Sequence, residues 1–499
     1  MKLADISNSA RDYQREQIAA AVLSRRNGSK VDIIGSPVGS GKGFTIGELM
    51  RLGSKPLAIL PNLNLLTQMH QRIASYLDED LDVEQADRRV SNSSMHRTRA
   101  IVASAMSIWK DDRWKKFLDR SIWLIDEFHL GNTERRQHIL RVAAEHGVYV
   151  VGLTATPFTS KGLPLENCPT PCYWKTYKDF IDDRWLVPPK ITLLEPKSYD
   201  YTIFDEITFN EYNCDELLSE EGTVHEFANA VMQYYNNEPS AVYVSGVKVL
   251  KRLVEVFKRY DVQVSAVWGN QPPEDRQVNM QAFLNGDTKI IVNVGVLSYG
   301  WDFPELRNVF GCAPTRSLSN MEQRLGRLSR PLTGVLQNDM TLEQRRDAIA
   351  NSSKSYGKYF DLTHSTSGIK LCTPIDVFDN ASRQDSDRRE KMVAAATGEE
   401  VDVLEVIEET AEEIQKQERK EEERQKAQLG VNFDRTDGNV FQETRESKRG
   451  WRMYWGPFRG QLMRKVPTGV LRSHLRRSKP GTPYRTALFR EIAARESAA

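Results

Sequence analysis

A short apolar run, a glycine-rich turn and a helix follow one another in the segment Val31-Asp32-Ile33-Ile34-Gly35-Ser36-Pro37-Val38-Gly39-Ser40-Gly41-Lys42-Gly43-Phe44-Thr45. The apolar residues predict a buried strand, and residues 44–52 predict a helix. This order is the P-loop pattern, in which backbone N–H groups and a helix N-terminus hold phosphate oxygens. We therefore expect a nucleotide phosphate site at Gly39, Ser40, Gly41, Lys42 and Gly43, with Lys42 at the β- and γ-phosphates.

One position departs from this pattern. The residue after the P-loop lysine normally carries a hydroxyl that binds Mg²⁺, and here it is Gly43, which has no ligand to offer. Thr45 lies two residues further on, roughly 200° around a helix with 3.6 residues per turn, so it is a poor substitute. Considered alone, the segment could also be an ordinary glycine-rich turn.

Charge is balanced over the chain but not along it. The 499 residues include 69 basic and 68 acidic ones, whereas residues 445–495 contain 14 Lys and Arg against two acidic residues. A basic end on an acidic body suggests a polyanion partner. The five cysteines make no disulfide framework, and no apolar run reaches the ~20 residues of a membrane span. We expect a cytoplasmic protein with no membrane segment.

A second chemical signal follows a later apolar run. Residues 122–125 predict a buried strand, and Asp126, Glu127 and His129 follow it directly. Strands alternate with helices here, which predicts a parallel α/β sheet whose ligands gather at the carboxyl ends of strands. Beside a P-loop, Asp126 would hold Mg²⁺, and Glu127 would orient or deprotonate an attacking water. An isolated acidic pair is more often solvated surface.

The second half of the chain predicts another α/β domain that ends in an arginine-bearing helix. Residues 323–330 read Gln-Arg-Leu-Gly-Arg-Leu-Ser-Arg. Arg327 and Arg330 are three residues apart and therefore share one face of a helix. Such a face can present two guanidinium groups to a γ-phosphate bound by the first domain. A basic helix surface is the alternative interpretation.

Taken together, these motifs resemble those of the superfamily 2 helicases, DExH branch. The match comprises Arg11-Asp12-Tyr13-Gln14, the Gly-Ser-Gly-Lys loop, Asp-Glu-Phe-His at 126–129, Thr-Ala-Thr-Pro at 154–157 and Gln-x-x-Gly-Arg-x-x-Arg at 323–330. The resemblance implies two tandem RecA-like parallel-sheet domains that bind ATP and Mg²⁺ between them. It further implies that Arg11 and Gln14 contact adenine, that Gln323 acts in catalysis with the two arginines, and that Gly300 and Asp302 have nucleotide-linked roles. The residues that would couple hydrolysis to domain movement are His129, Thr154 and Thr156. Those that would contact nucleic acid are Pro61, Asn62 and Ser104.

We expect five segments along the chain. They are a first RecA-like domain (1–190), a connection (191–222), a second RecA-like domain (223–385), a charged linker (386–444) and a small basic C-terminal domain (445–499). In the last segment, aromatic residues alternate with arginines, which suits phosphate contacts and base stacking. It resembles a module of phage and bacterial DNA enzymes, although it could instead dock on the protein's own acidic body. The residues expected to bind nucleic acid there are Trp451, Arg452, Trp455 and Arg459.

The combined expectation is an ATP-dependent DNA helicase or translocase of phage or bacterial replication, recombination or repair. Its partners would be nucleic acid and replication or recombination proteins. An RNA helicase remains an alternative within the same class. An alternative of another class is an ATP-switched nucleic-acid-binding protein with little turnover, because Gly43 removes a Mg²⁺ ligand.

Overall fold

The structure is a computed structural model, and its two compact units are described separately. The first unit runs from Met1 to Gln415 apart from residues 161–163, and the second contains those three residues and Lys416–Ala499. The described residues are 5–86, 88–91, 98–130, 133–157, 171–195, 197–199, 209–298, 301–363, 371–378, 386–414, 416, and nine positions between 463 and 492.

Parallel strands form the first sheet, in the order β3-β4-β2-β5-β6-β1-β7. These strands are β1 Val31–Gly35, β2 Pro56–Leu60, β3 Asp82–Glu84, β4 Ile101–Ser104, β5 Ile122–Ile125, β6 Tyr149–Thr154 and β7 Tyr173–Trp174. The helices that accompany them are α1 Asp12–Arg26, α2 Lys42–Leu52, α3 Leu63–Leu77, α4 Ala105–Ile108, α5 Glu134–Glu145 and α6 Tyr177–Asp182, with a 3₁₀ turn at Arg113–Phe117.

The second sheet has the order β10-β11-β9-β12-β13-β8-β14, parallel except for β14. Its strands are β8 Pro189–Leu193, β9 Ser240–Val244, β10 Val264–Trp268, β11 Ile290–Val294, β12 Asn308–Cys312, β13 Gly357–Asp361 and β14 Val401–Asp402. Its helices are α7 Glu211–Leu218, α8 Glu221–Tyr234, α9 Val247–Arg259, α10 Pro273–Leu284, α11 Leu318–Leu328, α12 Leu342–Ala350, α13 Ile375–Phe378 and α14 Ser386–Ala396, with a 3₁₀ turn at Val296–Ser298. The expected α/β class with two RecA-like parallel sheets is confirmed.

Burial explains why the central strands are so apolar. Every residue of β2 and β5 is buried, since helices cover both faces of the sheet.

The strand order determines which loops of the first sheet meet. β1 lies between β6 and β7, and β5 lies between β2 and β6. The loops that follow β1, β2, β5 and β6 therefore leave one edge of the first sheet side by side.

The structure places one expected domain boundary differently. Pro189–Leu193 pairs along its whole length with β13, so these residues belong to the second sheet rather than to the first domain and the connection. Val401 and Asp402, expected in the charged linker, pair with the same strand, and Val403 packs into the second domain's core. A strand that begins with proline resembles an extended exit in sequence, and only its tertiary pairing shows otherwise.

The described part of the second unit contains a small apolar cluster of Met463, Val466, Leu471, Leu488 and Ile492. Gly300 and the four C-terminal nucleic-acid candidates, Trp451, Arg452, Trp455 and Arg459, lie outside the described residues. None of the helices in the described part of the chain is both long and apolar enough to cross a membrane.

Candidate nucleotide-binding cleft

The predicted phosphate loop connects β1 to α2. Gly39 and Gly41 have φ angles of 90° and 75°, a left-handed conformation that side chains disfavour, and α2 begins at Lys42. The Lys42 ammonium donates to the carbonyl oxygens of Ser36 at 3.1 Å and Pro37 at 3.2 Å. The loop thus has the curled backbone of a phosphate cradle, with its lysine folded onto the loop itself.

Neither Gly43 nor Thr45 supplies a hydroxyl to this loop. A Cβ atom built on Gly43 would lie 2.9 Å from Met69 Sδ, so α3 packs against this position. Thr45 is fully buried, and its hydroxyl donates to Gln17 Oε1 at 2.8 Å. The expectation that Thr45 cannot replace the missing metal ligand agrees with this geometry.

The acidic pair stands at the end of β5. The Asp126 backbone N–H donates to Ile59 O at 3.0 Å, and Glu127 has a left-handed φ of 47°. Asp126 Oδ1 and Glu127 Oε2 are buried and have no hydrogen-bond partner among the described residues. Burial and the charge of Glu127 raise the pKa of Asp126 to about 7, against the opposing effect of Lys42. Buried carboxylate oxygens without partners fit a site for a hydrated divalent cation.

Helix α11 brings the predicted arginines to the phosphate loop. A Cβ atom on Gly326 would lie 2.5 Å from Val38 Cβ, and one on Gly39 would lie 3.2 Å from Gly326 O and 3.7 Å from Arg330 Cγ. Gln323 and Arg327 are both buried on this helix. The two domains therefore meet backbone to backbone, which leaves no space for a phosphate group between Gly39 and Gly326.

In this arrangement the two arginines bond within their own domain. Arg327 donates to the carbonyl oxygen of Trp301, and Arg330 forms an ion pair with Asp302. Asp302 also lies 3.5 Å from the guanidinium of Arg72, which belongs to α3 of the first domain. Asp302 thus links both domains through Arg72 and Arg330, and its nucleotide-linked role stays a prediction.

The predicted coupling residues form a chain of contacts across the cleft. His129 Nδ1 lies 2.8 Å from Thr154 Oγ1, and this oxygen also accepts from the Thr156 backbone N–H at 3.1 Å. The other ring nitrogen, Nε2, lies 3.4 Å from Ser319 Oγ on α11. Burial lowers the pKa of His129, which favours the neutral ring with one donor and one acceptor nitrogen. A neutral ring can accept on one side of the cleft and donate on the other.

Of the residues expected to contact nucleic acid, Ser104 is not placed as predicted. Its side chain is only 1% exposed, so its hydroxyl faces the interior. Asn62 follows β2 and caps α3 by accepting the Leu65 N–H at 2.9 Å. Two large apolar side chains are exposed after the same two strands, those of Leu63, at 48%, and Met106, at 76%.

The motif Arg11-Asp12-Tyr13-Gln14, which leads into the first domain and is called the lead-in motif, lies against the phosphate loop. Tyr13 donates from its hydroxyl to Ser40 O at 2.8 Å, and a Cβ atom on Gly41 would lie 3.0 Å from Gln14 Nε2. The Gln14 carbonyl accepts the Arg11 backbone N–H at 3.0 Å. The amide expected to contact adenine therefore bonds to backbone here. Arg11 lies with its guanidinium carbon 5.0 Å from the centre of the Trp185 ring.

Sequence reasoning missed four residues that join the domains at this cleft. They are Trp185, Ser319, Asn338 and Arg345, and each contacts a predicted site residue or a neighbour of one. Trp185 lies before a Pro-Pro exit, and the other three lie outside the recognised motifs. No pattern in a single sequence distinguishes them from ordinary surface and core positions.

Fold and site together define a protein with two RecA-like domains, in which a P-loop segment, an acidic pair and an arginine-bearing helix face one cleft. Residues 7–159 match the family described as type III restriction enzyme, res subunit, and residues 224–331 match the helicase conserved C-terminal domain. These matches and the order of the motifs establish that the chain belongs to the superfamily 2 helicases.

Individual relatives agree with this family. The chain is 24% identical over 314 residues to the irc3 protein of Schizosaccharomyces pombe, covering 59% of this chain and 51% of that protein. It is 24% identical to a 51.5 kDa protein of a Lactococcus phage, covering 57% and 60%. It is 23% identical to the DNA 3'-5' translocase XPB2 of Sulfurisphaera tokodaii, covering 64% and 78%. The chain spans about half the length of the irc3 relative.

A solved structure shows the same fold. A fragment assigned to the HsdR subunit of a type I restriction enzyme from Vibrio vulnificus superposes with a TM-score of 0.50 at 17% identity. The superposition covers 72% of this chain and 66% of that fragment.

Proposed function

We propose that this protein is an ATP-driven translocase or helicase that acts on DNA in phage or bacterial replication, recombination or repair. One observation carries the proposal. The phosphate loop, the acidic pair after β5 and the two arginines of α11 converge on one cleft between two RecA-like sheets. Such a constellation has the parts that phosphoryl transfer needs, namely a cradle, a base and charge-stabilising arginines from a second domain.

Each residue has a defined task in the hydrolysis of ATP. Lys42 releases the carbonyl oxygens of Ser36 and Pro37 and binds the β- and γ-phosphates. Glu127 orients the attacking water and accepts its proton. Arg327 and Arg330 exchange Trp301 O and Asp302 for the γ-phosphate oxygens, on which charge develops.

Asp126 is the residue that would hold Mg²⁺. Its buried oxygen without a partner suits this role, and Gly43 contributes nothing, so water and phosphate oxygens would complete the coordination. When bound, the metal neutralises negative charge on the phosphate oxygens.

The close packing of α11 on the loop explains how hydrolysis could move a strand. Phosphates enter only when α11 leaves Gly39, and they then draw Arg327 and Arg330 back toward the loop. Each ATP cycle therefore separates and rejoins the two domains. The contacts from Thr154 through His129 to Ser319 connect this motion to the loops at the carboxyl edge of the first sheet.

DNA is the proposed polymer, since one relative is named as a DNA translocase and another is a phage protein. The basic C-terminal segment suits any polyanion, so an RNA helicase is the alternative within the class. The test is steady-state ATP hydrolysis with no polymer, single-stranded DNA, duplex DNA or RNA. Strong stimulation by DNA, lost in Glu127→Gln, is expected. Stimulation by RNA alone would overturn the choice of DNA.

A second candidate, an ATP-switched binding protein with little turnover, is favoured by the Gly43 position alone. Gly43 offers no hydroxyl and Met69 packs against this position, so Asp126 would be the residue left to hold the metal. Negligible hydrolysis with every polymer, while ATP still binds, would identify the switch and rule out the motor.

A further inference from the structure

A cluster of side chains joins the two domains beside Arg11 and Tyr13, at the end of the cleft where the adenine base is expected, called here the base end. Three of its members, Trp185, Asn338 and Arg345, lie outside the motifs that define the family. Arg11 Nε donates to Asn338 Oδ1 at 3.3 Å, and Asn338 Nδ2 donates back to Ser9 O at 2.6 Å. Asn338 belongs to the segment between α11 and α12 of the second domain. These two hydrogen bonds therefore fix the lead-in segment of the first domain to the second domain.

Trp185 makes a second link at the same place. Its ring centre lies 5.0 Å from the guanidinium carbon of Arg11 and 4.1 Å from that of Arg345, which is on α12. Arg345 is 7% exposed and donates to Asp183 O at 2.8 Å and Met340 O at 2.6 Å. Both guanidinium groups are thus held on one indole ring, and Arg345 is the more rigidly fixed of the two.

This cluster continues to the phosphate loop. Trp185 packs edge to face with Tyr13 at 5.2 Å between ring centres, and the Tyr13 hydroxyl donates to Ser40 O. Arg11 also donates to the Tyr13 hydroxyl at 3.3 Å. The orientation of Arg11 is therefore set jointly by the loop and by two residues of the second domain.

We propose that Asn338 and Arg345 are positioning residues for the nucleotide base: by holding Arg11 and Trp185 against the second domain, they make recognition of the adenine base depend on both domains. This inference rests on the proposed ATP site. The base site is then complete only when Asn338 and Arg345 are in place, whereas the phosphate loop needs neither residue. Loss of either residue should weaken binding of a nucleotide that carries adenine and spare a triphosphate that has no base.

The experiment is calorimetric titration of the full chain, at fixed Mg²⁺, with the ATP analogue AMP-PNP and separately with inorganic tripolyphosphate. Asn338→Ala and Arg345→Met should each raise the Kd of AMP-PNP about three- to tenfold and leave the Kd of tripolyphosphate unchanged. Asn338→Asp retains the acceptor for Arg11 and should recover most of the affinity. Asn351→Ala, at the exposed end of α12, is the matched control and should bind both ligands as the parent does.

Two results obtained with the variants would overturn the inference alone. An unchanged Kd of AMP-PNP in Asn338→Ala would show that this contact does not position Arg11. An equal loss for tripolyphosphate would show a general effect on domain closure. Because Arg345 is buried and its variant could fail to fold, the Asn338 variants decide the outcome. A parent protein that binds neither ligand would instead contradict the proposed function, and the inference with it.

Discussion

At the phosphate end of the cleft the backbone of one domain touches the backbone of the other, whereas at the base end the domains meet through side chains. Gly326 and Val38 make the first contact, and Arg11, Trp185, Asn338 and Arg345 make the second. Backbone contact tolerates no added atom, so the packing of the two domains at the phosphate end depends on Gly326. The side-chain contact adapts more easily, so we expect it to change the affinity for nucleotide without changing the rate of hydrolysis.

The largest effect on the rate of hydrolysis should come from the Glu127 carboxylate at the phosphate end. Glu127→Gln removes the carboxylate proposed to accept the proton of water, so kcat should fall at least a hundredfold while the Kd of AMP-PNP changes little. Steady-state hydrolysis with DNA and calorimetric titration measure the two quantities. Glu134→Gln, at the exposed start of α5, is the control. Retained turnover in Glu127→Gln would assign the proton to another group.

The next effect tests the backbone contact itself. In Gly326→Ala the new Cβ would lie 2.5 Å from Val38 Cβ and 2.9 Å from Val38 O, so α11 must shift away from the loop. We expect kcat to fall about tenfold or more, since the arginines move with the helix. Gly222→Ala is a matched control, because its Cβ meets only Ser198 Cβ at 3.7 Å. Parental turnover in Gly326→Ala would show that the packed arrangement is not part of the cycle.

The stability of the folded protein should depend on pH through Glu322, a buried residue of α11 at the phosphate end. Burial, with the nearby charge of Glu127, raises the pKa of Glu322 to about 8, although Lys42 and the Val38 N–H oppose this. The folded protein then keeps Glu322 protonated up to about pH 8, whereas the unfolded chain releases this proton above about pH 4.5. Its stability should therefore decrease as pH rises toward 8, by at most about 1.4 kcal/mol per pH unit. Thermal unfolding of Glu322→Gln from pH 6 to 8 should show a flatter dependence, and an equal slope in both proteins would contradict this origin.

The smallest effect should come from the contact between the acidic motif and α11. Ser319→Ala removes the hydroxyl that lies 3.4 Å from His129 Nε2, a contact worth about 1 kcal/mol or less. The stimulation of ATP hydrolysis by DNA should decrease roughly two- to fivefold. Ser319→Thr keeps a hydroxyl and should retain most of the stimulation. Identical stimulation in the alanine variant would remove Ser319 from the coupling path.

Sequence patterns predicted which segments lie together at the phosphate loop, and the roles of their residues stay predictions. The loop, the acidic pair after a buried strand and the arginines three residues apart are local arrangements, and local spacing determines which strand end or helix face carries them. The extent of the second domain was less predictable, because β8 begins with Pro189 and pairs with a strand more than 160 residues away. Ser104 was predicted as a contact, but its position on β4 turns its side chain inward.

The sequence by itself determined the class of fold and the chemical groups that line the candidate cleft, because these depend on short motifs with fixed geometry. Only the tertiary structure decided which residues of the second domain reach the base end. Asn338 and Arg345 lie more than 320 residues from Arg11, and their contacts depend on how two separately folded sheets pack together. The tertiary structure also shows that Gly326 lies directly on the phosphate loop. A glycine within a helix has no evident role in the sequence until the residue packed against it, here Val38, is known.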